Sequence, residues 1–123
     1  MRKILLVEDN ELNRDMLGRR LTRSGFSVIF AVDGPEGVRM AREERPDLIL
    51  MDVALGAMDG WEATRIIKAD PHSSSTPIIA LTAHALESDR RRSAEVGCAG
   101  FDTKPVNYPQ LVEKIEQLLA KAA

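Results

Sequence analysis

Three short runs of this chain are apolar without interruption, Ile4-Leu5-Leu6-Val7, Leu48-Ile49-Leu50-Met51 and Ile78-Ile79-Ala80-Leu81, and each stops at a polar residue. Runs of this length are too short for buried helices, and their lack of alternation excludes a sheet with one wet face. They are the pattern of central parallel strands covered on both sides. The residues at which they stop are Glu8 and Asp9, Asp52, and Thr82. In an open parallel sheet those strand ends share one edge, and that edge is where ligands bind.

The segments between the runs read as helices. Asn10 can cap a helix whose apolar positions Leu12, Met16, Leu17 and Leu21 are expected on one face, ending at Gly25. Phe26 to Val32 is a weaker, partly alternating strand closed by Asp33-Gly34-Pro35, and Pro35 suits the first turn of a helix reaching about Glu44 with Val38 and Ala41 inward. Asp59 with Glu62 forms a candidate capping box before a helix burying Trp61, Ile66 and Ile67. Asp70 to Thr76 is a polar loop, and Pro77 opens the fourth strand. Leu86 to Val96 is helical by propensity but poorly amphipathic, so it is expected to pack shallowly. Residues 100–103 form a short fifth strand ending at Lys104-Pro105. The last helix, capped by Asn107, shows the cleanest helical pattern, Leu111, Val112, Ile115, Leu118 and Leu119. Five strands alternating with five helices, joined by connections too long for hairpins, predict a doubly wound α/β domain with right-handed crossovers. Its flavodoxin-like strand order would be 2-1-3-4-5, with residues 1–123 as one domain.

Composition narrows the function. A net charge of −2 gives no field that would make nucleic acid or an anionic membrane the main partner. The Arg90-Arg91-Arg92 run, flanked by Asp89 and Glu95, reads as a solvated helix face rather than a basic docking patch. The single cysteine, Cys98, cannot form an internal disulfide and reads as a small buried residue. No stretch approaches the roughly 20 apolar residues of a membrane span, and a cytoplasmic monomer is expected.

The strand ends carry the chemistry. Each residue alone has an ordinary reading: Asp52 a loop residue or cap, Lys104 a surface lysine, Thr82 a strand end. Together they place three carboxylates, a hydroxyl and an ammonium at one crevice. Two carboxylates about 4 Å apart repel by roughly 4 kcal/mol at an effective dielectric of 20, so three call for a cation, most simply Mg²⁺ with its preference for oxygen ligands. A carboxylate beside such an ion is a competent nucleophile toward phosphorus. Asp52 is then the candidate phosphoacceptor, with Lys104 and Thr82 meeting further phosphoryl oxygens.

These residues resemble the CheY-like receiver domain of bacterial response regulators, across nearly the whole chain. The matching pieces are Glu8-Asp9, Asp52 with the following Met58-Asp59-Gly60, Thr82-Ala83 and Lys104-Pro105. Leu6 through Asn13 is most similar to stand-alone DivK-type regulators. The resemblance implies phosphoryl transfer to Asp52 from a histidine kinase or histidine phosphotransferase. It also implies Mg²⁺ held by Asp9, Asp52, the Ala54 carbonyl and, through water, Glu8, and a cis Lys104-Pro105 bond. It implies a signalling protein whose only catalysis is its own phosphorylation and dephosphorylation. Thr82 and Phe101 are the expected switch pair: Thr82 is drawn to the phosphate, the loop from Ala83 to Glu87 follows, and Phe101 rotates into the space left. An output protein would then bind a face within residues 84–121.

The chain departs from the family at Gly56, where proline is usual, which predicts a more mobile loop, and at Phe101, where tyrosine is usual. Ala54 and His84 occupy the two variable positions flanking the phosphoryl site. His72, in the polar loop, has no ligand spacing around it. If the chain is complete, its output passes through a partner; the alternative is a receiver excised from a hybrid kinase. A haloacid-dehalogenase-type phosphatase would need a second aspartate where Ala54 stands. A flavodoxin-like cofactor module would need a phosphate-cradling loop where Glu8-Asp9 stands.

Overall fold

The computed structural model describes residues 1–83 and 86–122. Strands β1 (Lys3–Val7), β2 (Ser27–Ala31), β3 (Leu48–Asp52), β4 (Ile78–Thr82) and β5 (Gly100–Thr103) alternate with helices α1 (Glu11–Arg23), α2 (Gly34–Glu43), α3 (Gly60–Ala69), α4 (Glu87–Val96) and α5 (Tyr108–Ala122). The strands form one parallel sheet in the order β2-β1-β3-β4-β5, as the apolar runs predict. The chain reverses its direction across the sheet between β1 and β3, whose Val7 and Met51 are register partners.

The uninterrupted runs divide residue by residue between two layers. Ile4, Leu6, Leu48, Leu50, Ile79 and Leu81 pack with Leu17 and Leu21 of α1 and Leu111, Ile115 and Leu119 of α5. Their neighbours Leu5, Val7, Ile49, Met51 and Ile78 face the opposite way, onto Ala41 of α2 and Ala63 and Ile67 of α3. Every residue of β3 and β4 is buried. That is why these strands cannot show alternation: both faces are core.

Asn10, Asp59 and Asn107 cap their helices as expected: their side chains accept from the N–H groups of Asn13, Glu62 and Gln110 at 2.9, 2.8 and 3.1 Å. Asp33 adds a cap that the sequence reading did not name, accepting from Glu36 N at 2.8 Å. Gly25 takes the left-handed conformation after α1, with φ of 96°.

Three burial expectations need correcting. Leu12 and Met16 do not share the buried face of α1; they are 67% and 50% exposed. At 100° per residue, Leu12 stands about 140° around the helix from Leu17. The buried stripe is instead Leu17, Gly18 and Leu21: the two leucines enter the core between the sheet and α5, and the ring of Phe30 on β2 lies where a Cβ at Gly18 would be. On α3, Ile66 is 38% exposed; the inward stripe Gly60, Ala63, Thr64 and Ile67 leaves it at the α2–α3 rim. Cys98 is half-buried rather than buried.

α4 packs as shallowly as its sequence suggests: Ser93 and Val96 are its buried residues, and among the described residues no side chain caps its N-terminus. Among the described residues, no helix is long and apolar enough to cross a membrane.

Candidate functional site

The crevice lies at the carboxyl ends of β1 and β3. Glu8 extends β1 by one ladder bond, its N–H donating to Ala31 O at 3.0 Å, and its side chain is almost wholly enclosed at 2% exposure. Asp9, the next residue, is exposed. Asp52 ends β3 at 3% exposure. Glu8, Asp9 and Asp52 each offer one carboxylate oxygen to a group in which these atoms lie within 4.8 Å of one another.

Lys104 enters from β5. Its Nζ donates to Glu8 Oε1 at 3.0 Å and stands 3.2 Å from Asp52 Oδ1, so one ammonium bridges the two buried acids. Its backbone N–H donates to Thr82 O at 2.8 Å, tying β5 to the end of β4. The Lys104-Pro105 bond is cis, as the resemblance implied. Thr82 lies one residue beyond the Asp52–Leu81 register pair and is itself paired with Thr103. Phe101, partnered with Ala80, is half-buried beside Trp61 and Val96. The structure thus brings Glu8, Asp9, Asp52 and Lys104 together, with Thr82 at the adjoining strand end and Phe101 farther back along β5. His84 lies outside the described residues.

The charges explain one another. Burial pushes the Glu8 carboxyl up to about 7, the neighbouring Asp52 pushes the same way, and Lys104 opposes without cancelling them. Burial alone would lower the pKa of Lys104, but contact with Glu8 and the charge of Asp52 outweigh it and raise the value. Among the described residues, three acids facing one ammonium leave a net deficit of positive charge. Oxygen donors and this charge balance fit a hard divalent ion.

Sequence reasoning missed two supports of the site. Arg14 Nη1 reaches back from α1 to donate to Glu8 O at 2.9 Å; no local pattern marks that contact. Gly60 opens α3 directly against β3, where a Cβ would overlap the Asp52 carbonyl oxygen. The Asp59-Gly60 pair signalled a turn, but the reason for the glycine is this close backbone approach. Ala54 enters through its N–H, which donates to Asp52 Oδ1 at 3.1 Å. Gly56 has neither a left-handed φ nor an atom within 4 Å of where its Cβ would stand.

Beside the acids runs a groove of about 460 Å³. Met16, Leu17, Pro105, Val106 and Tyr108 line its apolar part, and Glu8 and Lys104 its polar end.

Residues 4–116 match the response regulator receiver domain. The chain is 38% identical over 121 residues to the polar-differentiation response regulator DivK of Brucella anthropi, covering 98% of both. It is 37% identical over the same length and coverage to DivK of Brucella ovis. Among solved structures it is similar to the receiver domain of the sensor histidine kinase PA1611 from Pseudomonas aeruginosa PAO1, which has a magnesium ion coordinated in its active-site cleft. The TM-score there is 0.90 at 38% identity, over 97% of this chain and 98% of that one. The chemotaxis protein CheY4 of Vibrio cholerae aligns with a TM-score of 0.90 at 30% identity, over 96% and 98%. An acidic strand-end cluster on this fold, matched across the chain by such relatives, makes the chain a member of the response regulator receiver domain family of two-component signalling.

Proposed function

We propose that residues 1–123 act as one receiver domain in a cytoplasmic phosphorelay, and that Asp52 is its phosphoacceptor. The observation that carries this is the pairing of a buried strand-end Asp52 with Lys104 Nζ at 3.2 Å, inside a cluster of three acids. An Asp52 carboxylate oxygen attacks the phosphorus of a phosphohistidine. A P–O bond to Asp52 forms, the P–N bond breaks, and its electron pair stays on the imidazole nitrogen of the donor. Asp9 and Asp52, with the Ala54 carbonyl and Glu8 through water, would hold Mg²⁺, which supplies charge neutralisation for the transferring group. Lys104 sits where it can exchange its contact with Asp52 Oδ1 for a phosphoryl oxygen, and Thr82 offers a hydroxyl to another.

The donor is a histidine kinase or a histidine phosphotransferase. The groove of Met16, Leu17, Pro105, Val106 and Tyr108 supports this, since it gives an incoming protein an apolar seat beside the acids. The phosphate adds about −1.5 to −2 charge. Thr82 and Phe101 then transmit it to α4, β5 and α5, within residues 84–121, where an output protein binds. Neighbours such as the PA1611 receiver, which belongs to a sensor histidine kinase, favour as a second reading a receiver working within a hybrid kinase; the phosphotransfer chemistry is the same.

The test is incubation with a small phosphodonor and Mg²⁺, followed by location of the adduct by mass. One phosphoryl group on Asp52 is expected, with none in Asp52→Ala. An adduct that persists in that variant overturns the assignment.

A further inference from the structure

α4 has little apolar surface with which to hold its place, yet it carries three consecutive arginines. Successive residues point about 100° apart on a helix, and each arginine takes a different partner. The Arg90 guanidinium lies over the Phe101 ring, 5.3 Å from its centroid. Arg91 Nε is 4.0 Å from Glu87 Oε1 in an exposed ion pair. Arg92 lies over the Trp61 ring at 6.0 Å. The run that read as a solvated face is therefore divided, and its two ends sit on aromatic rings belonging to β5 and α3.

Trp61 belongs to a small core cluster with Ala80 and Val96, and Phe101 packs against it. Arg90 and Arg92 stay exposed, and their guanidinium groups lie over these two outer rings. Phe101 is further held through its backbone, since Lys114 Nζ of α5 donates to Phe101 O at 3.0 Å. A ring movement at Phe101 would leave this backbone tie to α5 in place while removing the ring face on which Arg90 sits.

We propose that Arg90 is a positioning residue for Phe101: its guanidinium, seated on the ring, holds α4 against β5 in the unphosphorylated protein and loses that seat when Phe101 moves. The second part rests on the switch reading given above; the first does not. A cation over a ring at an exposed site shifts an equilibrium by about two- to fivefold, corresponding to about 0.5 to 1 kcal/mol. A bias of that size tunes the resting population of the switch without locking it.

The experiment is amide hydrogen exchange across residues 91–96 in wild type, Arg90→Gln, Arg90→Lys, Phe101→Leu and the Arg90→Gln/Phe101→Leu double variant. The full chain is measured at rest and after phosphorylation with acetyl phosphate and Mg²⁺. In the resting protein Arg90→Gln is expected to speed exchange about two- to fivefold, Arg90→Lys by less, and the Arg90 substitution to add nothing once Phe101 is leucine. After phosphorylation, wild type and Arg90→Gln are expected to exchange alike. An undiminished Arg90→Gln effect in the Phe101→Leu background, or no effect at rest, overturns the contact. An equal effect in both states overturns its release. If Asp52 takes up no phosphoryl group the functional reading fails, and the resting-state cycle still decides the contact by itself.

Discussion

In the proposed site a divalent cation would meet Lys104 at Asp52 directly and at Glu8 through water, so removing the lysine is expected to weaken the metal-free protein and strengthen its grip on Mg²⁺. The Nζ lies 3.0 Å from Glu8 Oε1 and 3.2 Å from Asp52 Oδ1. At an effective dielectric of about 20, those separations correspond to attractions of roughly 5.5 and 5.2 kcal/mol, much of which desolvation of the three groups offsets. Breaking a buried pair by removing one member costs about 3–5 kcal/mol, because the remaining charge is stranded. The Lys104 side chain keeps 26% of its exposure, which points to the lower end of that range. Lys104→Met should thus cost about 3 kcal/mol at pH 8, lowering the metal-free Tm by roughly 10–15 °C for a domain of this size. Saturating Mg²⁺ should restore most of the loss. Titration calorimetry should show Kd for Mg²⁺ tightening by at least about tenfold, or roughly 1.4 kcal/mol. A metal-free Tm equal to wild type, or unchanged or weaker Mg²⁺ binding, would refute the competition.

Three further outcomes follow from the same geometry. Glu8 titrates near 7 in the folded chain against an ordinary 4.5, so its contribution to metal-free stability is full below 4.5 and is lost as pH rises through 7. The effect is of order 3 kcal/mol, should vanish in Glu8→Gln, and should appear as Mg²⁺ affinity falling on acidification below pH 7, all readable by melting and calorimetry. Gly60→Ala is expected to cost about 1–3 kcal/mol in chemical denaturation, because its Cβ must displace the Asp52 carbonyl and the Val53 backbone. Gly56→Ala, with open space around its Cβ, should instead gain about 0.4–1 kcal/mol by restricting the unfolded chain.

The sheet was legible because β1, β3 and β4 are buried on both faces: an uninterrupted apolar run of four or five residues has few other places to go. Connection lengths and the handedness of crossovers made the sheet parallel and doubly wound, while the order 2-1-3-4-5 came from likeness to flavodoxin-like folds. The helix errors have a common cause. Leu12, Met16 and Ile66 are apolar but stand off the buried phase of their helices, and which phase is buried depends on the neighbouring element. On α1 that neighbour is Phe30, whose ring sits on Gly18 and draws a glycine into the stripe that leucine and methionine would seem to claim. Hydrophobicity along one helix carries no record of a ring arriving from the next strand.

The candidate site divides in the same way. Glu8, Asp9, Asp52, Thr82 and Lys104 were legible because strand ends are fixed by topology, so a polar residue at the end of an apolar run has its position decided in advance. What holds those residues was not legible, because the supports act through backbone atoms. Arg14 reaches the Glu8 carbonyl and Gly60 accommodates the Asp52 carbonyl, and a carbonyl has no letter in the sequence. The arginines of α4 show a third case. Their charge was plain and their partners were not, since a guanidinium over Phe101 and a guanidinium in water are written identically. The residues most exposed to misreading are therefore cations on weakly amphipathic helices, where apolar contact and charge reside in one side chain. On the reading proposed for Arg90, the resting position of α4 is tuned by such a residue, and the Arg90/Phe101 double-variant cycle decides it.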